Sequence, residues 1–131
     1  MEVEIFTLCD AATESQGKLS ILGTFDTIFA NRVPAIHPQC AVVVRLRFSR
    51  IETGDHTFVL HLVDEDGNAV IPPLQGKLGV NFKLNDHFAT ANMILNIQNL
   101  KLEKYGEYSL DLAVNGRELA SLPLLLRQPP T

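Results

Sequence analysis

Between residues 41 and 49, apolar and polar positions alternate. Val42, Val44, Leu46 and Phe48 fall on one side of an extended chain, with Val43, Arg45, Arg47 and Ser49 on the other. A period of two marks a strand with one buried face. The same reading turns Phe58, Leu60 and Leu62 inward, against Thr57, Val59, His61 and Val63. It makes a strand of Leu78, Val80, Phe82 and Leu84, and another of Ala89, Ala91, Met93, Leu95 and Ile97. Near the N-terminus, residues 3–9 and 19–22 form two short apolar runs around a turn at residues 14–17. Paired as a hairpin about that turn, they set Leu8 beside Ile21 and Phe6 beside Gly23. Residues 22–30 then read as a strand that bends near Gly23. Residues 33–38 hold Pro34 and Pro38 and read as a connection between sheets.

The C-terminal stretch is the most explicit. Leu110, Leu112 and Val114 alternate with Ser109, Asp111 and Ala113, and Asn115-Gly116 supplies two residues that tolerate positive φ in a type I′ turn. A second strand returns over residues 117–126, with Val114 facing Arg117 and Leu112 facing Leu119. Upstream, Leu102, Gly106 and Tyr108 have the spacing of a tyrosine corner, in which a phenol hydroxyl bonds back across the turn before a strand. The chain thus predicts seven to nine antiparallel strands at intervals of roughly 8–12 residues, a Greek-key, immunoglobulin-like β-sandwich. A closed β-barrel is the alternative.

At 131 residues the chain fits a single β-sandwich domain, residues 1–131. A net charge of −4 makes it a poor non-specific nucleic-acid binder. No stretch is long and apolar enough to span a bilayer, and the acidic N-terminal residues do not form a secretory signal; a cytoplasmic protein without nucleic-acid or membrane partners is expected. Cys9 and Cys40 lie in apolar contexts and form no C-x-x-C, so buried free thiols are expected.

No catalytic, cofactor or metal motif stands out. Residues 64–68 (D-E-D-G-N) read as a hairpin turn, since the glycine is not at the sixth position of a calcium loop. His56 and His61 point to opposite faces of one strand and cannot share a metal. Arg45 and Arg47 share a face and offer a small cationic patch, or a solvated face paired with carboxylates. Leu122, Leu124, Leu125 and Leu126 break the alternation around Pro123. They mark either an interior strand or an edge that pairs with another chain, a homodimer being the simplest case.

The pattern C-D-x-A, G-K-L, L-G-x-F-D-x-I and P-A-x-H-P spans Cys9 to Pro38 and resembles a family of small uncharacterised bacterial proteins. The final hairpin resembles the last two strands of bacterial immunoglobulin-like domains. The first resemblance draws attention to Asp10, Asp26 and His37 as a ligand segment. The functional expectation is a non-enzymatic module that binds a protein or itself, with a small-ligand or carbohydrate-binding sandwich as the alternative and an enzyme with an unrecognised site third.

Overall fold

The computed structural model describes residues 1–130. Nine strands follow one another: β1 (Glu2–Ser15), β2 (Lys18–Thr24), β3 (Thr27–Phe29), β4 (Ala35–Ser49), β5 (Gly54–Val63), β6 (Leu74–Val80), β7 (Phe88–Leu102), β8 (Gly106–Val114) and β9 (Arg117–Arg127), with one 3₁₀ turn at Arg50–Glu52. They form two sheets, ordered β2-β1-β4-β7 and β3-β9-β8-β5-β6. The protein is an all-β sandwich. No helix is long and apolar enough to cross a membrane. The pairings are antiparallel except β3 with β9, which is parallel.

The core lies between the sheets. Val42, Val44, Leu46 and Phe48 of β4 are fully buried there, facing Phe58, Leu60 and Leu62 of β5 and Leu110, Leu112 and Val114 of β8 across one continuous cluster. Burying such side chains contributes about 1.5–3 kcal/mol each. The tyrosine corner is present: the Tyr108 hydroxyl donates to the Lys104 carbonyl oxygen at the entry to β8. Asn115 and Gly116 adopt φ of 54° and 78°, the I′ geometry, and Val114 faces Arg117.

Three sequence expectations are corrected. In the last hairpin, Leu112 faces Ala120 rather than Leu119, because one extra residue bulges from β9 two residues past the turn. Residues 35–38 belong to β4 rather than to a connection; the cis peptide Val33-Pro34 ends the crossover and Pro38 sits within the strand. The strand at residues 78–84 stops at Val80, and Leu84 projects into solvent. Of the two readings of the apolar run in β9, the interior one holds where β3 pairs with it, from Leu125 to Arg127; Leu124 and Leu126 are buried in the core, and Leu122 and Leu125 are half-buried. Leu122, Leu124 and Leu126 share the core-facing side of β9, with Pro123 and Leu125 on the other, so the strand keeps its alternation in burial though not in composition.

Leu124→Ala is expected to cost about 2–5 kcal/mol, read as a lower urea midpoint. Tyr108→Phe, which leaves the Lys104 carbonyl without its donor, should cost about 1 kcal/mol in the same assay.

Candidate functional site

The first strand does two jobs. Up to Cys9 it pairs with β4, ending at Cys9–Ala41; from there to Ser15 its only ladder is with β2. The two-residue turn Gln16-Gly17, both at positive φ, closes this β1–β2 arm. The arm folds back over the outer face of the first sheet. Its tip is held there by the Gly17 carbonyl oxygen, which accepts from Arg45 Nη1 at 3.4 Å and from Asn92 Nδ2 at 3.2 Å. Ala12, Leu19 and Ile21 pack against a second small cluster of Cys9, Ala41 and Val43. The outer face of β4 is therefore covered, and Val43 is buried as fully as Val42.

This bend corrects the expected hairpin register. Ala12, not Leu8, faces Ile21, and Asp10, not Phe6, lies over Gly23. A Cβ at Gly23 would fall within 2.4 Å of Asp10 Oδ2, and Gly23 has φ of +69°. Glycine is required there twice: for its left-handed backbone, and to let the carboxylate settle against the chain.

Asp10 lines a cleft of about 410 Å³ at this end of the sandwich, together with Gly23, Thr24, Phe25, Ile28, Phe29 and His37. The rings of Phe25 and His37 lie 5.6 Å apart and tilted by 50°. Two of the three residues singled out in sequence, Asp10 and His37, thus come together. Asp26 does not join them. It lines a neighbouring cleft, its Oδ1 accepts from Thr27 Oγ1 at 2.8 Å, and its carbonyl oxygen accepts from Leu125 N at 2.8 Å, which helps dock β3 against β9. A carboxylate, an imidazole and two phenyl faces can recognise a basic or amide group carried on an apolar body. Phe25 and Phe29 were not picked out as site residues. The crossing from one sheet to the other, which brings them to the cleft, was not visible in the sequence.

A family of unknown function, DUF6941, matches residues 4–127. The chain belongs to that family. No curated protein matches it.

In this DUF6941 member Arg45, Arg47, Asp64 and His56 are engaged in structure. Arg45 Nε donates to Glu4 Oε1 at 2.8 Å and Nη1 to Asn92 Oδ1 at 3.0 Å; Arg47 Nη2 pairs with Glu2 at 3.0 Å and Glu4 at 3.4 Å. The two guanidiniums are neutralised by carboxylates on β1, so they do not form a free cationic patch. Asp64 accepts the backbone N–H groups of Asp66 and Asn68 at 2.9 Å through Oδ1, a turn that uses its carboxylate. The Asn68 amide, followed by the Asp66 amide and the Lys104 ammonium, holds its carboxyl below the usual value of 3.8. His56 is buried, with Nε2 2.6 Å from the Glu52 carbonyl oxygen and Nδ1 2.8 Å from Asn115 Nδ2, which ties β5 to the final turn. Among the described residues, no three His, Cys, Asp or Glu side chains come close enough to hold a metal.

Cys9 and Cys40 are both fully buried and unpaired. Burial first, then the nearby Cys9 and Asp10, pushes the Cys40 thiol up to about 11. Burial and Asp10 also raise Cys9, against an opposing hydrogen bond to Ala11. Both thiols are protonated at pH 8 and shielded, so Ellman's reagent should react with neither until the protein is unfolded; rapid labelling of one thiol in native buffer would contradict the buried arrangement. Gly23→Ala should cost about 1–2 kcal/mol through its left-handed backbone and displace the Asp10 carboxylate, which a urea titration and the amide shift of Asp10 would record. Asp64 is depressed by folding, so its contribution to stability is full above its unfolded value and is lost as pH falls through the folded one. Asp64→Ala should remove that part of the acid-side loss in pH-dependent denaturation.

Proposed function

We propose that this protein is a non-enzymatic, immunoglobulin-like binding module whose Asp10–His37 end receives a segment of another protein. Strand order supports the immunoglobulin-like reading. With β2 and β3 set aside, the sheets run β1-β4-β7 and β9-β8-β5-β6, and Tyr108 forms its corner where the sixth of these seven strands begins. β2 and β3 then form an insertion between the first two strands, and that insertion builds the cleft.

One observation carries the binding proposal. Of the seven large hydrophobic side chains exposed among the described residues, Phe29 lines the cleft, beside Phe25 and Ile28. An exposed phenylalanine beside further apolar side chains and a carboxylate has the composition of an interaction surface rather than of a solvated one. The complementary segment has apolar side chains on either side of a lysine or arginine, whose charge meets Asp10.

Panning a random peptide library on the native protein should enrich peptides of that composition. Binding of the enriched peptides should fall at least tenfold, about 1.4 kcal/mol, in Phe29→Ser and in Asp10→Asn. Enriched peptides indifferent to both changes would contradict the proposal. A small amine on an apolar body is the second reading, favoured by a cleft volume within the range of small-molecule sites. It predicts that such amines alone displace the peptides.

A further inference from the structure

We infer that this protein forms a two-fold symmetric dimer by antiparallel pairing of β7 with β7 of a second copy, on a surface separate from the cleft. β7 is 15 residues long and lies at the edge of its sheet, with β4 as its only hydrogen-bonded neighbour. Among the described residues, no backbone hydrogen bond joins its other edge to β6 or to any loop. A row of unpaired N–H and C=O groups is a template for another strand, and monomers guard such rows with charges, prolines, bulges or brevity.

The other edges of the molecule carry those guards. β3 has three residues; β6 has two glycines and a lysine and follows Pro72-Pro73; the part of β9 that β3 leaves open carries Pro123. β2 is bent over the outer face of its sheet. β7 has none of these protections before Asn99, whose φ of 52° departs from the extended backbone shortly before the charged residues begin. From residue 88 to residue 100 it reads F-A-T-A-N-M-I-L-N-I-Q-N-L, with no charge and no proline.

The same run favours a second copy as the occupant. Antiparallel self-pairing sets residues of the run against residues of the run, and no like charges meet wherever the two uncharged segments overlap. Asn96 and Gln98 carry exposed side-chain amides that both donate and accept, so identical groups can bond across the two-fold axis. Ala89, Ala91 and Leu95, only half-buried at the open side of the core, gain cover from the neighbouring strand. At about 3.4 Å per residue the edge is roughly 50 Å long. A ribbon about 10 Å wide along it buries on the order of 1,000 Å² in total, the lower limit of a specific interface.

Sedimentation equilibrium of the wild type should give about 29 kDa, twice the 14.5 kDa chain, and a monomer for the double variant Asn96→Lys, Gln98→Lys. Both positions are exposed on the outer face, and a wild-type-like circular dichroism spectrum checks that the variant folds. Hydrogen exchange of the wild type supplies a second readout, independent of any variant: in the dimer, amides on both edges of β7 are protected, whereas in a monomer every second one exchanges quickly. A wild-type monomer up to about 1 mM, or a dimer that the two lysines leave intact, would overturn the inference. So would fast exchange along the outer edge of β7.

Discussion

Both faces of β4 have to be kept from water, and the rest of the fold answers to that constraint. Its inner face, Val42 to Phe48, is covered by the second sheet. Its outer face carries Ala41 and Val43, which a sandwich of two bare sheets would leave wet. The β1–β2 arm covers them, at the cost of a sharp change in the path of β1 beyond Cys9. The arm is clasped at its tip by Arg45, which is itself held by Glu4 and Asn92. An arginine on the outer face of a strand therefore serves as the anchor of a hairpin.

The chain leaves that arm by way of Gly23 and crosses to the second sheet through β3. The crossing produces the cleft. Asp10 stands where β1 turns outward, Phe25 and Phe29 flank the crossing, and His37 lies where β4 returns. The residues of the candidate site are close because the arm must bend, so packing on the outer face and composition of the cleft share one cause.

Much of the architecture was legible in the sequence because its signals are local. Alternation in β4, β5 and β8, the Asn115-Gly116 turn and the tyrosine corner each depend on a few neighbouring residues. What was illegible depends on distant ones. The register of the first hairpin was misjudged because the turn was centred too early, and nothing within residues 3–22 announces that the strand will leave its sheet. Leu122 to Leu126 read equally as interface or interior, since the covering strand β3 lies some hundred residues upstream in the chain. Asp10 and His37 were drawn together by a resemblance of sequence, while Asp26, from the same pattern, turns to the docking of β3. The uncharged run of β7 was visible as a strand. Its meaning as an edge needed the strand order.

Methyl-labelled NMR tests the folded-back arm, and with it the cleft, most directly. The arrangement described here requires nuclear Overhauser contacts from the methyl groups of Leu19 and Ile21 to those of Ala41 and Val43. Contacts from Ile21 to Leu8 in their place would lay the hairpin flat in its sheet, uncover Val43 and separate Asp10 from His37.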